Sequence, residues 1–226
     1  MSKVGKRLSL ITEKHESVVR DYLGRVNDPV FPKAKAAELA KEWGYDYWDG
    51  DRRVNYGGYH FISGYWTPLA QKIIEEFHLT SQSSVLDVGC GKGFLLRELL
   101  ELLPGIRVIG LDISQYALDR SPPEVRGQLI LGNATSLPFG RNEFDLVVSL
   151  NTLHNLYTFE LDVALTELER VARQKYLVVE SYRTEVEKAN LLYWQVTCES
   201  FFTPDEWLWW FKRSGYSGDF EFIYFR

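Results

Sequence analysis

The chain has 226 residues, of which 45% are hydrophobic and 25% charged, with a formal net charge of −5. That suits one α/β domain with an elaboration, and the lack of any run of 18 apolar residues excludes a predicted membrane span. The only two cysteines, Cys90 and Cys198, make no disulfide framework and form no metal-type cluster with His15, His60, His78 and His154, so no metal and a reducing cytoplasm are expected.

Residues 1–20 are basic but lack an apolar core and a small-residue cleavage site, so they do not read as a secretory signal. Residues 1–35 hold eight Lys/Arg and four Asp/Glu, a net of +4 that leaves −9 for the remainder. Such an arm could touch an acidic partner or nucleic acid, although a solvated helix face and tail is the plainer reading. The acidic body argues against general nucleic-acid binding.

KAKAAELAKEW (33–43) predicts a helix stopped by Gly44. Residues 45–66, rich in Gly, Asp and aromatics without helical period, read as an ordered loop region. TPLAQKIIEEFHL (67–79) predicts a helix with Thr67 as N-cap, Pro68 in its first turn, and Leu69, Ile73, Ile74 and Phe77 on one face. Strands are then expected over 84–88, 106–112, 127–133, 144–150 and 175–180. Helices fall between them over 92–103, 114–120 and 160–173. The 114–120 helix ends at Pro122-Pro123. Helices over about 184–195 and 204–213 follow, and the alternating GDFEFIYFR closes the chain as a strand. Alternation of apolar strands with helical patterns predicts a doubly wound, mostly parallel sheet with helices on both faces.

In such a sheet, ligands sit beyond the carboxyl ends of the strands, near the switch between strands 1 and 4. Strand 1 runs into Asp87-Val88-Gly89-Cys90-Gly91-Lys92-Gly93, where alternate glycines permit a sharp turn and close approach of a ligand. A dinucleotide fingerprint needs a third glycine where Phe94 stands, and a P-loop needs Ser or Thr after its lysine. A nucleotide without a pyrophosphate fits better. Asp112, at the end of strand 2, can accept hydrogen bonds from both ribose hydroxyls, with Ser114 left to cap the next helix. Asn133, in Gly132-Asn133-Ala134, could bond an adenine edge or simply stabilise a turn.

VLDVGCGKGF, IGLDIS, GNATSLPF and EFDLVVSLNTLHNL, in this order over about residues 67–180, resemble the class I S-adenosylmethionine-dependent methyltransferases. The resemblance implies a Rossmann-like core over 67–226 with a C-terminal antiparallel strand, preceded by an aromatic-rich helical and loop cap over 1–66. It implies S-adenosylmethionine as cofactor, S-adenosylhomocysteine as its product, and a binding set of Asp87, Gly89, Cys90, Gly91, Gly93, Asp112, Ile113, Asn133 and Ala134. The position of Asn133 is usually Asp in the family.

Methyl transfer from a sulfonium is an in-line displacement that depends chiefly on positioning, and a base matters only where the acceptor must lose a proton. His154 is a candidate base, against a packing role. Asn151 could orient the cofactor amine or the acceptor. Arg183 could clamp an acidic acceptor, against a plain salt bridge. Nine aromatics fall within 43–66 and thirteen within 193–225. The first group, with Asp46, Asp49, Asp51 and His60, is expected to form an acceptor lid or a second small core, and WLWWF (207–211) a buried helix. Tyr56, Tyr59, His60 and Tyr182 are the expected acceptor contacts.

DYWDGDRRVNYGGYHFISGYW is similar to a bacterial group of these enzymes found with surface-glycan assembly. The expected acceptor is a small metabolite or a sugar-linked precursor. An RNA or protein acceptor has only the basic arm in its favour, since SLNT stands where amino-group nucleic-acid methylases often carry Asn-Pro-Pro-Tyr. A non-catalytic cofactor-binding module is the third reading. The sequence does not give the oligomeric state.

Overall fold

Six strands lie side by side in the computed structural model, which describes residues 3–11 and 20–226. They are β1 (Ser84–Val88), β2 (Arg107–Asp112), β3 (Leu129–Leu131), β4 (Phe144–Leu150), β5 (Ala172–Glu180) and β6 (Asp219–Ile223), in the sheet order β3-β2-β1-β4-β5-β6. Every neighbouring pair is parallel, with Val85 opposite both Val108 and Leu146. The switch in strand order falls between β1 and β4, which both run to the edge carrying the glycine turn.

Successive strand residues point to opposite faces, so the sheet serves two cores. Leu86, Val88, Val147, Leu177 and Val179 pack with Leu161, Leu165 and Leu168 of the helix Thr158–Val171 and with Trp207 and Phe211 of the helix Pro204–Arg213. Val85, Val108, Leu146, Val148 and Val178 pack with Leu69 and Ile73 of the helix Thr67–Glu76 and with Leu95 and Leu99 of the helix Phe94–Leu102. WLWWF thus lies in a helix whose Trp207 and Phe211 are buried.

The last strand differs from the expectation. An antiparallel neighbour arrives by a hairpin, whereas β5 and β6 are joined through two helices, Glu185–Trp194 and Pro204–Arg213. These return the chain to the starting edge, so β6 runs parallel to β5. The alternation in FEFIYF does not mark a solvated face either, because Glu221 is 1% exposed. Its carboxylate accepts the amides of Leu10 (2.7 Å) and Ile11 (3.1 Å) and the Tyr176 hydroxyl (2.6 Å).

Those amides belong to the start of the basic arm, which here covers the free edge of β6. Arg7 bridges Phe220 in parallel, Leu8 N donates to Phe220 O at 2.8 Å, and Phe220 N donates to Lys6 O at 3.1 Å. An edge covered in this way no longer offers a pairing surface. The arm's middle, with His15, lies outside the described residues.

Smaller departures have local causes. The helix from residue 33 closes at Ala40, and Pro123 opens a one-turn helix, Pro123–Arg126, because proline suits a first helical position. Tyr45–Trp48 is a helical turn inside the expected loop. Trp66 rather than Thr67 is the N-cap of the helix Thr67–Glu76, and the Thr67 hydroxyl donates to Glu98 instead. Among the described residues, no helix is long and apolar enough to cross a membrane.

Candidate active site

The carboxyl edge of β1, β2 and β4 opens into a cavity of about 510 Å³. Its floor is the turn after β1. Gly89 and Gly91 adopt φ of 82° and 56°, a region that favours glycine, and a Cβ would be obstructed at either. At Gly89 it would lie 2.1 Å from Thr152 Oγ1, and at Gly91 2.8 Å from Trp48 Cη2. The glycines therefore let the loop after β4 and the aromatic cap close down on the turn. Gly93 caps the helix Phe94–Leu102 at φ 74° and stands behind the cavity wall.

Asp112 ends β2 and is 6% exposed. Its Oδ2 accepts Gly91 N at 2.7 Å and its Oδ1 accepts Ser114 N at 2.8 Å, which fixes the glycine turn against the second strand. Ser114 caps the next helix by accepting Ala117 N at 3.1 Å. The same hydroxyl donates to Trp43 O and accepts Trp48 Nε1 at 2.9 Å, so it also fastens the cap. Asp87 is 4% exposed, and its Oδ1 has no hydrogen-bond partner. Burial, with the Asp112 charge second, pushes its carboxyl up to about 8. Cys90, Ile113, Asn133 and Ala134 line the same chamber. Asn133 Oδ1 accepts the amide and the hydroxyl of Thr135, both at 2.9 Å, and so stabilises its own turn.

The loop after β4 supplies the opposite wall. Asn151 holds φ 55°, lines the cavity, and carries a side-chain oxygen without a partner. The 3-10 turn Leu153–Asn155 then buries Leu153 and His154 and brings Asn155 to the cavity. His154 is 2% exposed and is not a lining residue. Its Nε2 is 3.5 Å from Glu180 Oε2, and burial pulls the imidazole down to about 3. The expectation of a base facing the methyl group is therefore corrected: His154 packs behind the wall, where its carbonyl accepts Glu199 N and Ser200 N.

Three further expectations are corrected by placement. Arg183 grips Glu187, with Nε at 3.0 Å and its backbone amide at 2.8 Å, and lies 3.8 Å over the Tyr224 ring, outside the cavity. Tyr182 is 9% exposed and packs in the core. His60 is exposed and does not line the chamber.

Tyr56 and Tyr59 do line it. Tyr56 stacks on Trp48 at 5.4 Å, and Tyr59 on Phe94 at 4.9 Å. Tyr47, Trp48 and Val54 also pack with Ala36, Ala40, Ala117 and Val196 as a third core. The segment is thus both a small core and a chamber wall.

Sequence reasoning did not single out four features. Lys92, 3% exposed, reaches from the glycine turn to both oxygens of Asp49 (2.7 Å each) and to Tyr59 O (2.8 Å). The signal was a lysine inside a turn otherwise made of small residues. Asn155 follows His154 by one residue, and only the 3-10 turn decides which of them faces inward. Leu10 and Ile11 reach the cavity as an apolar pair within a basic arm, and Thr197 and Glu199 reach it from beyond the helix Glu185–Trp194. The long-range packing of these last two leaves no local signature.

Residues 86–179 match the family profile described as a methyltransferase domain. The chain is 32% identical over 119 residues to a demethylmenaquinone methyltransferase of Symbiobacterium thermophilum, covering 49% of this chain and 47% of that protein. It is 27% identical over 157 residues to the erythromycin 3''-O-methyltransferase of Saccharopolyspora erythraea, covering 62% and 51%. The chain thus spans about half the length of these curated relatives. Among solved structures, the YcgJ protein of Bacillus subtilis shares the fold, with a TM-score of 0.54 at 20% identity over 64% of this chain and 66% of that one. Residues 86–179 thus carry a methyltransferase domain, and the parallel sheet around them has the Rossmann-like fold of the class I S-adenosylmethionine-dependent methyltransferases.

Proposed function

We propose that this protein transfers the methyl group of S-adenosylmethionine to a small-molecule acceptor held beneath the aromatic cap. The carrying observation is the shape of the site: glycine turn, loop after β4 and aromatic cap wall one chamber together. A chamber of this kind suits a small acceptor better than the surface of a macromolecule. The names of the relatives, which refer to menaquinone and erythromycin, support the same class. A sugar-linked precursor is one member of it, suggested by the likeness of residues 46–66 to the glycan-associated group.

The residues fit the cofactor. Obstructed Cβ positions at Gly89 and Gly91 leave backbone open to the methionine part, and unpartnered oxygens on Asp87 and Asn151 suit a ligand that brings N–H donors. Asp112 would hold the ribose, with Ile113, Asn133 and Ala134 near the adenine. The sulfonium supplies an already activated methyl group. The protein's part is to position the acceptor and exclude water, for which the rings of Trp48, Tyr56 and Tyr59 are placed. His154 is buried behind the wall and Asn155 stands at the cavity, which supports positioning rather than His154 base catalysis as the loop's contribution.

The test uses methyl-labelled S-adenosylmethionine, the purified protein and a bacterial extract split by size. Label is expected in the small fraction. Label only in RNA, protein or polysaccharide would overturn the small-acceptor reading. Binding of S-adenosylhomocysteine without label in any fraction would favour the non-catalytic module.

A further inference from the structure

The charge and hydrogen-bonding character of the acceptor can be argued from the chamber wall, on the reading that the site binds S-adenosylmethionine. Beyond Asp87 and Asp112, which the cofactor reading uses, its lining holds two carboxyl groups, Glu160 and Glu199. Lys41 is the one cationic side chain among the described lining residues, and it is ion-paired to Glu199. Beside the lining, Lys92 is ion-paired to Asp49, and the Arg52 guanidinium donates to the backbone carbonyls of Asn55 and Tyr56. With Glu199 paired to Lys41, Glu160 remains as an uncompensated carboxylate on the acceptor side of the wall.

Two more observations point the same way. Asn155, which the cofactor reading does not use, carries a side-chain oxygen without a hydrogen-bond partner, so it offers this part of the wall an acceptor. Buried acceptors of this kind are costly until a ligand brings N–H or O–H groups to them. The remaining surface is largely aromatic, with nine rings among the lining residues. Ring faces attract cations and repel anions. A phosphate or carboxylate entering here would meet Glu160 and ring faces with no unpaired cation among the described lining residues, whereas an ammonium would find Glu160, the Asn155 oxygen and the rings as partners.

We infer that the chamber takes an acceptor with a flat or apolar body that carries an amine and no phosphate or carboxylate. Glu160 is assigned as the specificity-determining residue, because it lines the cavity as a carboxylate that accepts a backbone amide, Tyr157 N at 3.2 Å, rather than pairing with a cation. A phosphate-linked sugar is thereby excluded from the acceptor class.

The experiment first titrates the protein with S-adenosylhomocysteine by calorimetry. It then titrates the saturated complex with tyramine and, separately, with 4-hydroxyphenylacetate, two near-isosteric probes of opposite charge. Tyramine should bind about tenfold tighter or better, the scale of a desolvated cation–π contact. Glu160→Gln, which keeps an oxygen for the Tyr157 amide, should reduce that preference by about threefold or more. Equal or tighter binding of the carboxylate overturns the inference, as does a lack of tyramine binding at millimolar concentration or a preference unchanged in Glu160→Gln. Failure of S-adenosylhomocysteine to bind would instead overturn the cofactor reading beneath it.

Discussion

Asp49→Ala tests whether cap and glycine turn form one mechanical unit. Lys92 Nζ lies 2.7 Å from both Asp49 oxygens, and the two side chains are 3% and 15% exposed. Asp49 also accepts the Tyr59 amide and the Tyr116 hydroxyl, both at 3.0 Å. Without the carboxylate, the buried ammonium keeps only Tyr59 O, at 2.8 Å. Breaking a buried ion pair from one side costs about 3–5 kcal/mol, and the residual exposure of Asp49 places this one near ~3. At about 2–4 °C per kcal/mol, the melting temperature should fall by roughly 6–12 °C. Replacing both partners, Asp49→Asn with Lys92→Met, should recover about 1–3 kcal/mol relative to the summed single variants, because neither charge is then stranded. The pH dependence has a definite sign. Burial would raise the Asp49 carboxyl, but the Lys92 bond, the Tyr59 amide and the Tyr116 hydroxyl outweigh it and hold it below its ordinary value. Its contribution is therefore present above about pH 4 and is lost as pH falls through the lower folded value. Urea denaturation followed by tryptophan fluorescence at pH 7 and pH 3 measures both effects. A loss under about 1 kcal/mol at pH 7, or single effects that add without coupling, would refute the argument.

Asp112→Ala should weaken S-adenosylhomocysteine binding by about 1–3 kcal/mol in calorimetry, through lost charged hydrogen bonds, and unchanged affinity would remove the ribose role. His154→Ala, once an acceptor is in hand, should slow turnover much less than the roughly 100-fold expected for loss of a general base; a loss of that size would return His154 to the chemistry. Burial pushes Glu180 up to about 8, and Asp87 stands at about 8 also, so both contribute stability that is lost as pH rises toward that value. His154, pulled down to about 3, acts oppositely, losing stability as pH falls below its unfolded value near 6.5. Stability should therefore decline between about pH 6.5 and 8, and Glu180→Gln should flatten that decline in denaturation midpoints; an unchanged slope would show that Glu180 does not titrate there.

Local pattern carried the cofactor half of the molecule. The turn after β1, Asp112 and the loop after β4 sit where strand ends must converge, so their order along the chain already placed them together. The strand bodies were legible for the same reason, since residues such as Val85 and Leu86 serve opposite cores through simple alternation. The direction of β6 was not, because FEFIYF has one pattern whether a hairpin or a crossover delivers it. Glu221 explains the misleading alternation: it is a buried clasp for Leu10 and Ile11, and a partner more than 200 residues away leaves no trace in local sequence.

The acceptor half shows how finely such placement is set. His154 and Asn155 are adjacent and polar, and either could have faced the methyl group. The 3-10 turn allots the inward place to His154, where it meets Glu180, and the cavity place to Asn155. Asn155 offers an unpartnered amide oxygen where the sequence suggested an imidazole, which replaces a proton acceptor by a hydrogen-bond acceptor. The cap, the N-terminal strand-like segment and the stretch after the helix Glu185–Trp194 add the rest of the wall, each from a different part of the chain. Substitutions in these segments can alter the acceptor without disturbing the Asp112–Gly91 contact, whereas Lys92 and Ser114 make the cap dependent on the cofactor turn. On the proposed reading, acceptor choice is free to vary in these side chains while the closure of the chamber stays tied to the glycine turn.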